Sequence, residues 1–188
     1  MAATEPNKKL AAKEAEEAYG GTDDPDAYQV LSFDPGGHTG WAIFQVHPDA
    51  MCGDPEIRVM DNIEWWTTGT IGGDVNANAD GMVETVHAWP GARLTTEGFM
   101  IRQRAVELTT VELNAIVTWA IRPRYFVVQS AALALSTVTP DRLKDWGFWI
   151  PGREHERDAV SHALTFLKRK KDQEVRAAAK ERSRRGTV

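Results

Sequence analysis

Two apolar segments joined by a proline–glycine turn constrain this chain more than any other feature. Tyr28 to Asp34 (Tyr-Gln-Val-Leu-Ser-Phe-Asp) is a short apolar run that ends on an acid. Pro35-Gly36-Gly37-His38-Thr39-Gly40 follows, and its glycines and proline supply backbone angles that other residues resist. Trp41 to Val46 resumes the apolar run, so residues 28–46 read as a β-hairpin with a carboxylate at the mouth of its turn. An isolated hairpin is marginal in water and needs more strands or helices to cover its apolar face.

The remaining sequence supplies them. Residues 57–71, with Ile57, Val59, Ile63, Trp65, Thr67 and Ile71, predict a third strand interrupted near Asp61-Asn62. After Gly72-Gly73, residues 74–89 predict a helix with Val75, Met82, Val83 and Val86 turned inward. Residues 92–97 (Ala-Arg-Leu-Thr-Thr-Glu) predict a short strand that again ends on an acid. Over 102–121, Val106, Leu108, Val111, Ile116, Trp119 and Ala120 recur at helical spacing and are expected to face the core, with Pro123 as the stop. Tyr125–Val128 predicts a buried strand and Pro140–Gly147 a short helix. A last helix starts near Glu154 and carries Ala159, Val160, Ala163, Leu164 and Leu167 on one side. This order implies an α/β fold: a mixed sheet opened by a three-strand antiparallel meander, continued by parallel strands, with helices on both faces.

At 188 residues the chain fits one domain with attachments. Residues 1–27 hold three Lys and seven Asp/Glu and are expected to be an acidic, flexible tail. Residues 28–168 form the expected domain, and 169–188 a basic tail, read either as a solvated helical extension or as disordered. The charge from 168 onward is +6, which leaves −7 on residues 28–167 within an overall −5. An acidic body is not a generic nucleic-acid surface. It suits a carboxylate site that needs cations, served by a basic tail able to touch a polyanion. A single cysteine, Cys52, excludes an intrachain disulfide and fits a reducing cytoplasm. No apolar run approaches the ~20 residues of a membrane span, and the polar N-terminal segment does not read as a signal peptide.

Asp34 and Glu97 both sit at carboxyl ends of expected strands, the edge where open α/β sheets build their sites. His155 and Asp158 open the last helix at i, i+3 and so share a face. Each has a plainer alternative: Asp34 as a turn residue, Asp158 as a helix N-terminal acid, His155 as a surface histidine. His162, four residues after Asp158, is expected to be structural or exposed. Together they would make a cluster of three carboxylates and an imidazole; carboxylates that close repel one another unless cations lie between them, and hard oxygen ligands favour Mg²⁺ or Mn²⁺.

Two families open with a strand and Asp-x-Gly. The actin-like ATPases need two such domains around a nucleotide, more than a chain of this length supplies. The closer resemblance is to the RuvC-like branch of the ribonuclease H-like nucleases. Leu31-Ser-Phe-Asp34-Pro-Gly-Gly-His-Thr-Gly-Trp-Ala-Ile-Phe44 resembles that family's opening strand, turn and return strand. Leu94-Thr-Thr-Glu97-Gly-Phe-Met-Ile101 resembles the strand of the second acid, though Gly98 replaces the acid that usually follows. His155-Glu-Arg-Asp158-Ala159 resembles the closing helix. Ser136–Leu143 followed by Pro151–Ala159 is similar to small RuvC-like endonucleases of actinobacterial phages. Placing the second acid instead at Val127-Val128-Gln129 would imply a dead enzyme, but Glu97 precedes the connecting helix as the family pattern requires.

The resemblance, over about residues 29–170, implies a ribonuclease H-like fold and a metal-dependent, structure-selective endonuclease. It implies two Mg²⁺ ions, with Mn²⁺ able to substitute, held by Asp34, Glu97, His155 and Asp158, and products with 5′-phosphate and 3′-hydroxyl ends. It further implies branched DNA (a four-way junction, flap or fork) as the partner, and a homodimer, because a junction has two symmetric cuts. Arg102, Arg104, Arg122, Arg124, Arg142 and Lys144 are candidates for lining a DNA path. Arg169, Lys170 and Lys171, with Arg182, Arg184 and Arg185, are candidates for phosphate contacts from the tail. The alternative from another class is a non-catalytic branched-DNA-binding or scaffolding protein that retains the fold.

Overall fold

The structure, a computed structural model, describes residues 28–98, 108–122, 124 and 126–185. Five strands form one sheet: β1 (Tyr28–Asp34), β2 (His38–Val46), β3 (Ile63–Gly72), β4 (Arg93–Gly98) and β5 (Val127–Ser130). The helices are α1 (Val75–Ala88), α2 (Leu108–Ala120), α3 (Ala131–Thr137), α4 (Pro140–Asp145) and α5 (Glu154–Arg185). Strand order is β3-β2-β1-β4-β5. β1, β2 and β3 form the antiparallel meander, whereas β4 joins β1, and β5 joins β4, in parallel.

Two-residue alternation along β1 sends Leu31 and Phe33 to one face and Val30, Ser32 and Asp34 to the other. Leu31 and Phe33 join Met82 and Val86 of α1 and Leu113 and Val117 of α2 in one buried cluster. Val30, Phe44 and Val46 join Val160, Ala163, Leu164 and Leu167 of α5 in the other, closed by Val138, Leu143 and Phe148. Full burial of each large aliphatic or aromatic side chain contributes about 1.5–3 kcal/mol, so these two layers fix which edge of the sheet carries the acids.

Several expectations needed correction. The return strand begins at His38 instead of Trp41, and a 3-10 turn (Val59–Asn62) replaces the start of the expected third strand, where Asp61-Asn62 interrupts it. On α2, Val111, Ile116 and Trp119 face solvent, Trp119 at 69% exposure, while Leu113, Val117 and Ile121 are buried. Nearly every turn of that helix carries apolar residues, so the spacing alone fits two opposite faces. Of the expected Tyr125–Val128 strand, Tyr125 lies outside the described residues and Phe126 is buried; the strand runs Val127–Ser130, an edge strand with Val128 61% exposed and Gln129 as its buried side chain. Val106 and the side chain of Leu108 lie outside the described residues.

The last helix is continuous through Arg185. Part of its basic length is fastened to the body. Lys171 Nζ donates to the Cys52 carbonyl at 2.7 Å, and a Cβ on Gly53 would sit 2.4 Å from the Ala178 Cβ. Only a glycine at 53 lets that loop close onto α5.

Candidate functional site

Asp34 ends β1 at 6% exposure. The turn after it is stapled from two helices: Thr110 Oγ1 of α2 donates to the Pro35 carbonyl at 2.8 Å, and Asn78 Nδ2 of α1 reaches the Gly37 carbonyl at 3.4 Å. Glu97 lies one strand over. Phe33 pairs with Thr96 in the parallel register, so the next residues, Asp34 and Glu97, emerge at one end of the sheet. Asn114 of α2 fixes the end of β4 by donating to the Glu97 carbonyl at 2.9 Å while accepting from Thr96 Oγ1 at 3.0 Å.

The first turn of α5 is pressed onto the hairpin. A Cβ on Gly40 would fall 2.0 Å from the His155 carbonyl oxygen and 2.7 Å from the Glu156 nitrogen, so only glycine permits this approach. Glu156, 5% exposed, accepts from Thr68 Oγ1 at 2.6 Å and Thr70 Oγ1 at 2.8 Å on β3, and from Arg153 at 3.2 Å. Arg157 donates to the Ile150 carbonyl and lies over the Trp149 ring. With the helix so anchored, His155 Nδ1 meets Asp34 Oδ2 at 2.9 Å. His38 stacks beside His155, ring centroids 6.4 Å apart.

Electrostatics tie the remaining acids to this pair. Burial, then the hydrogen bond and charge of Glu97, then the charge of Asp158, push the Asp34 carboxyl up to about 9. Glu97 is held below the usual carboxylate range, first by His162. Asp158 is raised by desolvation and by Glu97, with His162, Arg157 and His155 pulling the other way. Asp34 and Glu97 are thus pushed in opposite directions, Asp34 up and Glu97 down, as expected of two carboxylates facing each other without a cation between them.

Asp34, Glu97, His155 and Asp158 are thus neighbours in the fold. Among the described residues no group of three or more His, Cys, Asp or Glu is gathered in cation-holding geometry. The chemistry of the donor set, three carboxylates and an imidazole, nonetheless fits a hard divalent ion, which would relieve the repulsion among the acids.

His162, read from sequence as structural or exposed, is the former. It is 1% exposed, not a surface side chain, and its Nε2 lies 3.6 Å from Glu97 Oε2. The signal was its position: four residues after Asp158 and seven after His155 place all three on one face of α5.

The basic candidates divide. Lys171 is buried against Cys52, and Arg124 donates to the carbonyls of Val86, Trp89 and Ala92, so both are structural instead of free phosphate contacts. Arg142 bonds the Thr137 carbonyl, Lys144 pairs with Asp141 at 3.7 Å and lies over Trp149, and Arg122 lies over Trp119. Arg169, Arg182, Arg184 and Arg185 are exposed and Lys170 is half-buried. Arg102 and Arg104 lie outside the described residues.

No family model matches the chain, and no curated protein matches it. Among solved structures, the Thermus thermophilus RuvC structure matches with a TM-score of 0.51 at 15% identity, over 73% of this chain and 92% of that one. No helix among the described residues is long and apolar enough to cross a membrane. The five-stranded mixed sheet with helices on both faces is therefore a RuvC-like, ribonuclease H-like fold.

Proposed function

We propose that the chain is a Mg²⁺-dependent, structure-selective DNA endonuclease that cuts four-way junctions or related branched DNA to 5′-phosphate and 3′-hydroxyl ends. What supports this reading is the His155–Asp34 contact at 2.9 Å, with Glu97 beside Asp34 and Asp158 within electrostatic reach of Glu97, on a RuvC-like sheet. These four residues would hold two Mg²⁺ or Mn²⁺ ions. Such ions, when bound, lower the pKa of a water for attack on phosphorus and neutralise the departing 3′-oxygen. The chain's own part would be to hold Asp34 and Glu97 aimed at one point, a role assigned to the stapled turn, Asn114 and the anchored start of α5.

The exposed basic residues of α5 are assigned to sequence-independent phosphate contacts. A second copy of the chain is expected, because two symmetric cuts need two sites. The large apolar side chains left in solvent on α2 and β5, among them Trp119, Ile116 and Val128, support such an interface. The likeness of Ser136–Leu143 and Pro151–Ala159 to actinobacteriophage endonucleases supports a phage-encoded role in processing recombination or repair intermediates in the bacterial cytoplasm.

The test is incubation of labelled four-way junction, flap, fork and linear duplex with the protein in Mg²⁺, beside Asp34→Asn. Cleavage of a branched substrate by the wild type alone supports the proposal. The second reading, a non-catalytic branched-DNA-binding protein, is favoured by the absence of a ready cation-holding group among the described residues. Tight junction binding without cleavage in either Mg²⁺ or Mn²⁺ would establish it.

A further inference from the structure

His162 sits where a core leucine or isoleucine would satisfy packing, at 1% exposure on the face of α5 that covers the sheet. A buried imidazole carries two nitrogens that each want a partner. Nδ1 has none among the described residues, while Nε2 faces Glu97 Oε2 at 3.6 Å. The ring hydrogen therefore belongs on Nε2, the one nitrogen with an acceptor in view. At 3.6 Å the contact is an electrostatic approach and not yet a formed hydrogen bond, the kind of spacing that closes when a site takes up its ligand.

The surroundings are built to keep the ring there. Gln129, paired with Glu97 across β4 and β5, donates to the His162 carbonyl at 3.2 Å and to Thr95 Oγ1 at 2.7 Å. This locks the helix turn that carries the ring against the strand that carries the acid. The buried Gln129 side chain thus sets the height of α5 over the Glu97 strand.

Resting on the nuclease reading above, we propose that His162 is a positioning residue that holds one oxygen of Glu97 so that the other is presented to a divalent cation. Each of the two strand-end acids is then oriented by its own histidine: Asp34 by His155 and Glu97 by His162. Outer partners of this kind change metal affinity about 10–100-fold when removed.

The test is isothermal titration of Mn²⁺ into the full-length protein as wild type, His162→Phe, His162→Gln and Asp34→Asn, below the melting temperature of each variant. The expected result is binding to wild type, weakening of about tenfold or more in His162→Phe, and partial recovery in His162→Gln, whose amide still donates. Wild-type affinity in both His162 variants overturns the positioning role while leaving the nuclease reading intact. Equal weakening in both variants also overturns it, because a donor at that position would then make no difference. Absence of Mn²⁺ binding to wild type overturns the metal-dependent reading, and this inference with it.

Discussion

His155 Nδ1 and Asp34 Oδ2 lie 2.9 Å apart although 121 residues separate them in the chain. The pair joins the first strand to the last helix, so the site exists only when the whole sheet is closed. Replacing Asp34 with Asn keeps the shape but leaves a side chain that cannot ionise to meet a cation. Cleavage of branched DNA is expected to fall by about 10²–10³-fold or more, and gel assays on a labelled junction would measure it. Activity within a few-fold of wild type would remove Asp34 from the chemistry.

The same carboxyl sets the stability of the metal-free protein. Its folded-state value of about 9 lies above its ordinary 3.8, so between those limits the folded chain keeps a proton that the unfolded chain has released. Stability from this group is full below the lower value and is lost as pH rises through the upper one. Asparagine mimics the protonated form at every pH. In chelator, the melting temperature of Asp34→Asn should exceed that of wild type by a margin that grows from pH 5 to pH 9, with each kcal/mol worth roughly 2–4 °C. A constant margin would show that Asp34 is not held protonated. Saturating Mg²⁺ should narrow the margin by stabilising wild type alone.

Gly40 is where the hairpin and α5 touch backbone to backbone. Gly40→Ala places a methyl group 2.0 Å from the His155 carbonyl oxygen, so either α5 or β2 must move. A loss of about 1–3 kcal/mol in chemical denaturation is expected, with cleavage falling further than stability because the shift carries His155 and Asp158 with it. Unchanged stability would contradict the close approach.

Along α5, charge and burial separate two kinds of lysine and arginine. Exchanging exposed Arg169, Arg182 and Arg184 for alanine should weaken junction binding and lower its salt slope by about one for each phosphate left unneutralised. Lys171→Met should leave that slope alone and lower the melting temperature, because its ammonium is spent on Cys52. A slope change from Lys171→Met would return it to the DNA surface.

Trp119, 69% exposed on α2, tests the assembly. Light scattering should find wild type as a dimer and Trp119→Glu shifted toward monomer, since a carboxylate cannot be buried unpaired at an apolar contact. A wild-type monomer at all concentrations would contradict the expected pairing.

Much of this architecture was legible in the chain. Asp34 ends its strand where the proline–glycine turn says it must, and the buried Ala159, Val160, Ala163, Leu164 and Leu167 of α5 follow their helical spacing without exception. What was not legible has a common cause. On α2, Val111 and Leu113 are equally apolar, and the sheet and the neighbouring α1 together decide that Leu113 goes inward. At β5, Tyr-Phe-Val-Val reads as buried, yet the strand lies at the sheet edge, a matter of topology. The spacing of His162 from Asp158 and His155 gives its helix face, but its neighbour Glu97 lies 65 positions earlier. Partners set by the sheet cannot be read from either segment alone.

The central claim is that Asp34, Glu97, His155 and Asp158 form one cation site. Anomalous diffraction from Mn²⁺-soaked crystals tests it most directly. The account predicts a pair of peaks about 3.5–4 Å apart enclosed by those four side chains, and their loss in Asp34→Asn. Crystals with no Mn²⁺ among these residues, or with Mn²⁺ bound only elsewhere, would contradict it.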